Sequence, residues 1–305
     1  MGHDRYISPF STRYASDEMQ FLFSEDHKFR TWRRLWIALA RAERRQGLPV
    51  TDEQIAEMEA HRDDINYEDA ERREREVRHD VMSHVYAYGL QCPTAAGIIH
   101  LGATSCYVGD NTDILIMREA LLVVRRKLLN VMERLSRFAE KYRALPGLAY
   151  THLQPAQLTT VGKRACLWLN ELYMDFEETE NRISRLALLG SKGTTGTQAS
   201  FRDLLGGDGE KIRAVETDIA KEMGFDRVVP VSGQTYSRKV DYQIASVLSG
   251  IAQTASKFAY DMRHSFATVS LENGMTSRGY SRRSGSHFVK GEFENTEIIT
   301  KNLQY

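Results

Sequence analysis

TDILIMREALLVVRRKLLNVMERLSRFAEKY, residues 112–142, decides the fold class. Leu115, Leu122, Leu129 and Met132 fall on a helical period within it, and Pro146 with Gly147 supplies a stop just beyond. A helix of about thirty residues is roughly 45 Å long. That exceeds the needs of a compact globule, so the run predicts an elongated bundle or an oligomeric core.

Two further runs share this character. Pro155 is expected to open a helix through Val161, Trp168, Leu172 and Phe176 to Leu189, with Gly190 as its C-cap. Val240 to Arg263 carries Ile244, Val247, Ile251, Ala255 and Phe258 at helical spacing. Toward the N-terminus the helices shorten. Ser24 is a predicted N-cap before Glu25 and Asp26, and Phe29, Trp32, Trp36 and Leu39 follow on one face until Gly47 and Pro49. Thr51 and Gln54 form a capping-box pattern. Glu68 to Asp80, dense in both charge signs, reads as a solvated helical face. Strand signals are confined to Leu148–Thr151 and Val228–Val231. The reading is all-α: an elongated bundle of long helices with a small helical N-terminal domain. It divides as 1–111, a partial central bundle over 112–263, and a poorly ordered Ser/Arg/Gly-rich tail over 264–305.

Composition excludes several function classes. Lysine plus arginine, 41, balances aspartate plus glutamate, 41, so overall charge gives no reason to expect nucleic acid or a membrane surface as partner. The cysteines Cys92, Cys106 and Cys166 form no CxxC pair, and no Cys/His cluster has zinc spacing, so no metal site is expected. The N-terminus lacks the apolar run of a signal peptide, and nothing approaches the roughly 18 apolar residues of a membrane span. A soluble cytoplasmic protein with reduced thiols is expected.

Five polar clusters could carry chemistry. Arg78-His79-Asp80, with His84 nearby, is either a charged helix end or an anion-binding arginine beside an aspartate-supported histidine. Thr104-Ser105, after a glycine and before a helix, is either cap chemistry or a donor pair for a carboxylate or phosphate. His152 stands just before Pro155 on a connection, where a scaffold places surface residues and also acids or bases. Lys192 to Gln198 suggests a phosphate loop but lacks the Gly-Lys-Ser/Thr order of a Walker A. Gly233 to Lys239 is polar and basic at the mouth of the third long helix.

Taken jointly, RHDVM at 78–82, AAGIIHLGATSCYVGDNTD at 95–113, THLQPAQLTTVGKR at 151–164, KGTTGTQASF at 192–201 and GQTYSRKVD at 233–241 resemble the fumarase/aspartase superfamily. The Arg-His-Asp triplet, the Thr-Ser-Cys-Tyr-Val-Gly-Asp-Asn stretch and SPFSTRYAS at 8–16 narrow the resemblance to the adenylosuccinate lyases. The resemblance implies a homotetramer built on a shared long-helix bundle. It implies elimination of fumarate from adenylosuccinate and from the succinyl-carboxamide ribonucleotide of purine biosynthesis, without a cofactor. By carry-over His152 is the general acid for the leaving nitrogen. Arg13, Tyr14, Arg78, His79, Asp80, Thr104, Ser105 and Gln234 are substrate-binding, the substrate being a small nucleotide.

The pattern departs after Arg263. The family's next loop, roughly Ser-Ser-x-Met-Pro-x-Lys-x-Asn-Pro, supplies the base serine, and this sequence has no such motif. Ser281, Ser284 and Ser286 lie at about the right distance, among Arg282, Arg283 and Gly285. The resemblance therefore implies a truncated or altered chain that is catalytically weak. An alternative is a non-catalytic helical isoform that binds or modulates full-length lyase subunits.

Overall fold

The computed structural model describes residues 8–152 and 154–272, with side chains through Arg263. These form two compact units that interleave along the chain. One comprises Asp17–Ala120 and Arg185–Val240; of the described residues, the other holds 8–16, Leu121–Ser184 and 241–272. The division at 111 and 263 expected from sequence cuts the chain once at each point, whereas the units exchange segments. The proposed tail, 264–305, lies mostly outside the described residues.

The unit containing Asp17–Ala120 is built on α2, Glu25–Arg45, preceded by the short α1, Asp17–Leu22. Ser24 caps α2 as expected, its hydroxyl accepting the His27 N–H at 3.2 Å. Trp32, Trp36, Leu35 and Leu39 are buried from this helix. Then come α3, Asp52–Ala60; α4, Tyr67–Val77; and α5, Asp80–Gln91. Arg33 is only 2% exposed, yet fully engaged. Its Nη1 donates to the carbonyls of His61 and of Asp64 (2.7 Å to Asp64), and its Nη2 to Gln91 Oε1 at 2.6 Å. One side chain thus ties α2 to the chain before α4 and to the end of α5, satisfying a buried cation with carbonyls. His84 is a core ring stacked on Phe29 at 3.8 Å. Burial pushes it down to about 4, so it is a neutral packing residue.

The capping box at Thr51 is formed in both directions, at 3.2 Å and 3.0 Å. Thr51→Ala is expected to lower stability by about 1 kcal/mol. Urea unfolding checks this, and an unchanged midpoint would show that the box is redundant.

In the same unit lie the first turns of α6, Ser105–Lys141, and, after Arg185, α8, Ala199–Leu204, and α9, Gly209–Glu222. The Val228 strand signal is realised only as an isolated parallel bridge to Leu188.

The other unit holds the remainder of α6, Ser105–Lys141; the hairpin β1, Pro146–Thr151, with β2, Gln154–Thr160; α7, Val161–Arg185; and most of α10, Lys239–Glu272. Leu128, Val131, Leu135, Trp168, Leu172 and Phe258 form its core. Trp168 meets Phe258 edge-on at 5.0 Å and donates its indole N–H to Asp261 at 2.8 Å.

Three boundaries differ from expectation. Pro155 does not open a helix: it lies in β2, opposite Tyr150, and α7 starts at Val161 and ends at Arg185. A two-stranded sheet has two edge strands, so a missing proline N–H is tolerated there. Helix α6 starts seven residues earlier than Thr112, and α10 runs past Arg263 to Glu272. The all-α class and the three long helices, of 37, 25 and 34 residues, stand.

Candidate functional site

The junction of α4 and α5 places the Arg-His-Asp triplet. Arg78 ends α4 in the left-handed region, φ 51, with its N–H on the Glu74 carbonyl at 2.7 Å. A non-glycine residue there is uncommon and is held by its surroundings. The reversal lets His79 cap α5, its Nδ1 accepting the Met82 N–H at 3.3 Å. In the neutral ring, an Nδ1 that accepts leaves the proton on Nε2. Nε2 meets Ser105 Oγ at 3.1 Å, donating to it in that tautomer. Asp80 stands beside the ring, Oδ1 3.7 Å from Nδ1, and accepts the Val81 N–H at 2.7 Å. All three residues are exposed.

Ser105 is the first residue of α6, and Thr104 precedes it, both half-buried. Their hydroxyls stand at the positive end of a 37-residue helix, where an anion is favoured. Behind them Asp110 is 5% exposed and pairs with Arg238 at 3.2 Å, while the Arg238 guanidinium lies 4.3 Å from the Tyr236 ring centre. This anchors the segment carrying half-buried Gln234 to the first turns of α6. Burial, then Asp110, pushes the Cys106 thiol up to about 11, so it stays protonated.

Reading the sequence did not single out His100. Its Nδ1 accepts the Trp36 indole N–H at 2.9 Å, and burial followed by the His79 charge lowers it to about 4. It is therefore a neutral ring with its proton on Nε2. The signal was its place in the same motif as Thr104 and Ser105, obscured because a lone histidine in an apolar stretch reads as core.

The structure thus brings His79 and Ser105 into contact and places Arg78, Asp80, Thr104 and Gln234 on the same unit. Arg13, Tyr14 and His152 lie on the other. Arg13 and Tyr14 occupy one π-helical turn, Phe10–Tyr14, with the guanidinium 5.5 Å from the tyrosine ring centre. His152 is exposed at the tip between β1 and β2, with φ 53.

A family model described as a lyase matches residues 12–275. The adenylosuccinate lyase of Saccharomyces cerevisiae is 50% identical over 264 residues, 86% of this chain and 55% of that protein. The adenylosuccinate lyase of Schizosaccharomyces pombe is 48% identical over 85% of this chain and 54% of its own length, and that of Schistosoma mansoni 45% identical with the same coverage. The chain spans about half the length of the curated relatives it matches. Among solved structures, a fumarate lyase from Mesorhizobium sp. BNC1 superposes with TM-score 0.71 at 25% identity, covering 82% of this chain and 57% of that one. A 3-carboxy-cis,cis-muconate lactonizing enzyme from Pseudomonas putida gives 0.72 at 25% identity, covering 83% and 57%. The family match takes in both compact units, and the chain belongs to this lyase family, within the fumarase/aspartase superfamily.

Proposed function

We propose that the chain is the substrate-binding and acid-bearing part of an adenylosuccinate lyase. It would eliminate fumarate from adenylosuccinate, leaving AMP, and from the succinyl-carboxamide ribonucleotide likewise. The observation that carries this is the 50% identity over 264 residues to the yeast adenylosuccinate lyase.

The chemistry asks for three things. A proton beside a carboxylate must leave, the charge that develops must be held, and the departing nitrogen must be protonated. Ser105 and Thr104, at the α6 N-terminus, suit the succinyl carboxylates as donors. His79, with Nε2 3.1 Å from Ser105 Oγ, orients that hydroxyl. Arg78, Arg13 and Tyr14 suit a phosphate and its ribose, and Gln234 a further polar contact. His152 suits the acid, being exposed on a connection ahead of a long helix. The base stays unassigned, and Ser281, Ser284 and Ser286 lie outside the described residues.

We infer a cytoplasmic protein that assembles as a homotetramer. No helix among the described residues is long and apolar enough to cross a membrane. Exposed Leu129, Leu167, Tyr173, Met174, Leu248 and Tyr260 on α6, α7 and α10 support burial against further subunits.

Calorimetry with adenylosuccinate, paired with a fumarate-release assay, tests the proposal. Binding in the micromolar range is expected. A chain that neither binds adenylosuccinate nor releases fumarate, alone or mixed with a full-length lyase subunit, would overturn it.

A further inference from the structure

One buried ion pair has no part in the chemistry above. Lys192 is 7% exposed and Glu216 8%. The Lys192 ammonium lies 2.9 Å from Glu216 Oε1 and 3.0 Å from Oε2, and Oε1 also accepts the Ser191 N–H at 3.0 Å. The Gln198 side chain donates to the Ser191 carbonyl at 3.1 Å, and its backbone N–H to the Lys192 carbonyl at 2.9 Å. Just upstream, buried Asn111 clamps Gly190 from both sides, donating to its carbonyl at 2.9 Å and accepting its N–H at 3.1 Å. Gly190 has φ +80, and a Cβ there would fall 2.5 Å from Glu216 Oε1.

Both ends of the 190–198 loop are therefore fixed, while Thr194, Thr195 and Thr197 are exposed. Its crest touches a second loop. Gly196, φ +82, lies so close to Ser232 that a Cβ would fall 1.9 Å from the Ser232 carbonyl oxygen. Gln234 is two residues further on. A buried ion pair contributes little stability that an apolar pair could not, but this one also takes the Ser191 N–H onto Glu216 and so ties the loop to α9.

We propose that Lys192 and Glu216 are positioning residues: their ion pair holds the 190–198 loop against Ser232 and so fixes where Gln234 meets its ligand. The identity of that ligand rests on the adenylosuccinate reading; the mechanical link between the loops does not.

The test combines hydrogen exchange by mass spectrometry with steady-state kinetics on the assembled protein. The variant Lys192→Met/Glu216→Leu removes both charges and leaves neither stranded. Amide exchange over 190–198 and over 232–238 is expected to quicken about tenfold, with α2 unchanged. The KM for adenylosuccinate is expected to rise about tenfold with kcat within about twofold. Faster exchange at 190–198 with none at 232–238 overturns the link, as does a wild-type KM. If α2 also loses protection, Lys192→Arg gives a milder version of the same reading, and unaltered exchange at 232–238 in it overturns the link. If the wild-type protein ignores adenylosuccinate, the functional proposal fails while the exchange data still decide this one.

Discussion

Glu43→Gln is expected to stabilise the protein at neutral and alkaline pH and to flatten its pH dependence. Glu43 lies on α2 with no exposed surface, and neither carboxyl oxygen meets a protein hydrogen-bond partner among the described residues. Burial alone pushes the group up to about 9 from an ordinary 4.5. Its neighbour Tyr107, also buried, is raised well above its usual range by burial and then by Glu43, and donates to the Leu35 carbonyl at 2.7 Å. The folded state thus holds a proton that the unfolded chain releases above pH 4.5. Stability is then fully present below that point and is lost as pH rises toward 9, at roughly 1.4 kcal/mol per pH unit. By pH 7 the cost is on the order of 3 kcal/mol. Glutamine is neutral throughout and escapes it. Thermal melts of both proteins at pH 5, 7 and 8.5 check this; parallel curves would show that Glu43 does not titrate on unfolding.

His152→Asn is expected to lower kcat by about 10²–10⁴, the usual contribution of a general acid. Asparagine is chosen because it accepts the left-handed backbone of His152, φ 53, so the hairpin tip keeps its shape. KM should move little, because the proton reaches the leaving nitrogen in the transition state. Fumarate release by the assembled enzyme measures both. An unchanged kcat would reduce His152 to a turn residue.

How much of this was legible depends on the range of the interaction. The caps at Ser24 and Thr51 were readable, because both bonds close within three residues. The three long helices were readable from their period, but their ends were not. Ser105 to Asn111 mixes hydroxyls, glycine and Asp110, which argue against helix locally. In the fold Asn111 binds the distant Gly190 and Asp110 binds Arg238, so tertiary partners absorb those polar groups. Pro155 fits a first helical turn and an edge strand equally well. In the candidate site, the triplet at Arg78 looked like one continuous charged face. The left-handed turn at Arg78, which breaks that face and aims His79 at Ser105, has no local sequence signal such as glycine. Likewise no local signal marks Arg33 and Glu43 as buried positions.

The interleaving of the two units also sets a timetable. During synthesis α2 emerges early and finds Glu59 for Arg41 and Asp52 for Arg44 close behind it, but its later partners, Glu222 for Arg41 and Asp218 for Arg45, lie beyond the whole stretch Leu121–Ser184. At about 5–20 residues per second, that stretch alone delays closure by several seconds. Through that interval the first unit stands unfinished on the ribosome, its closing partners not yet made.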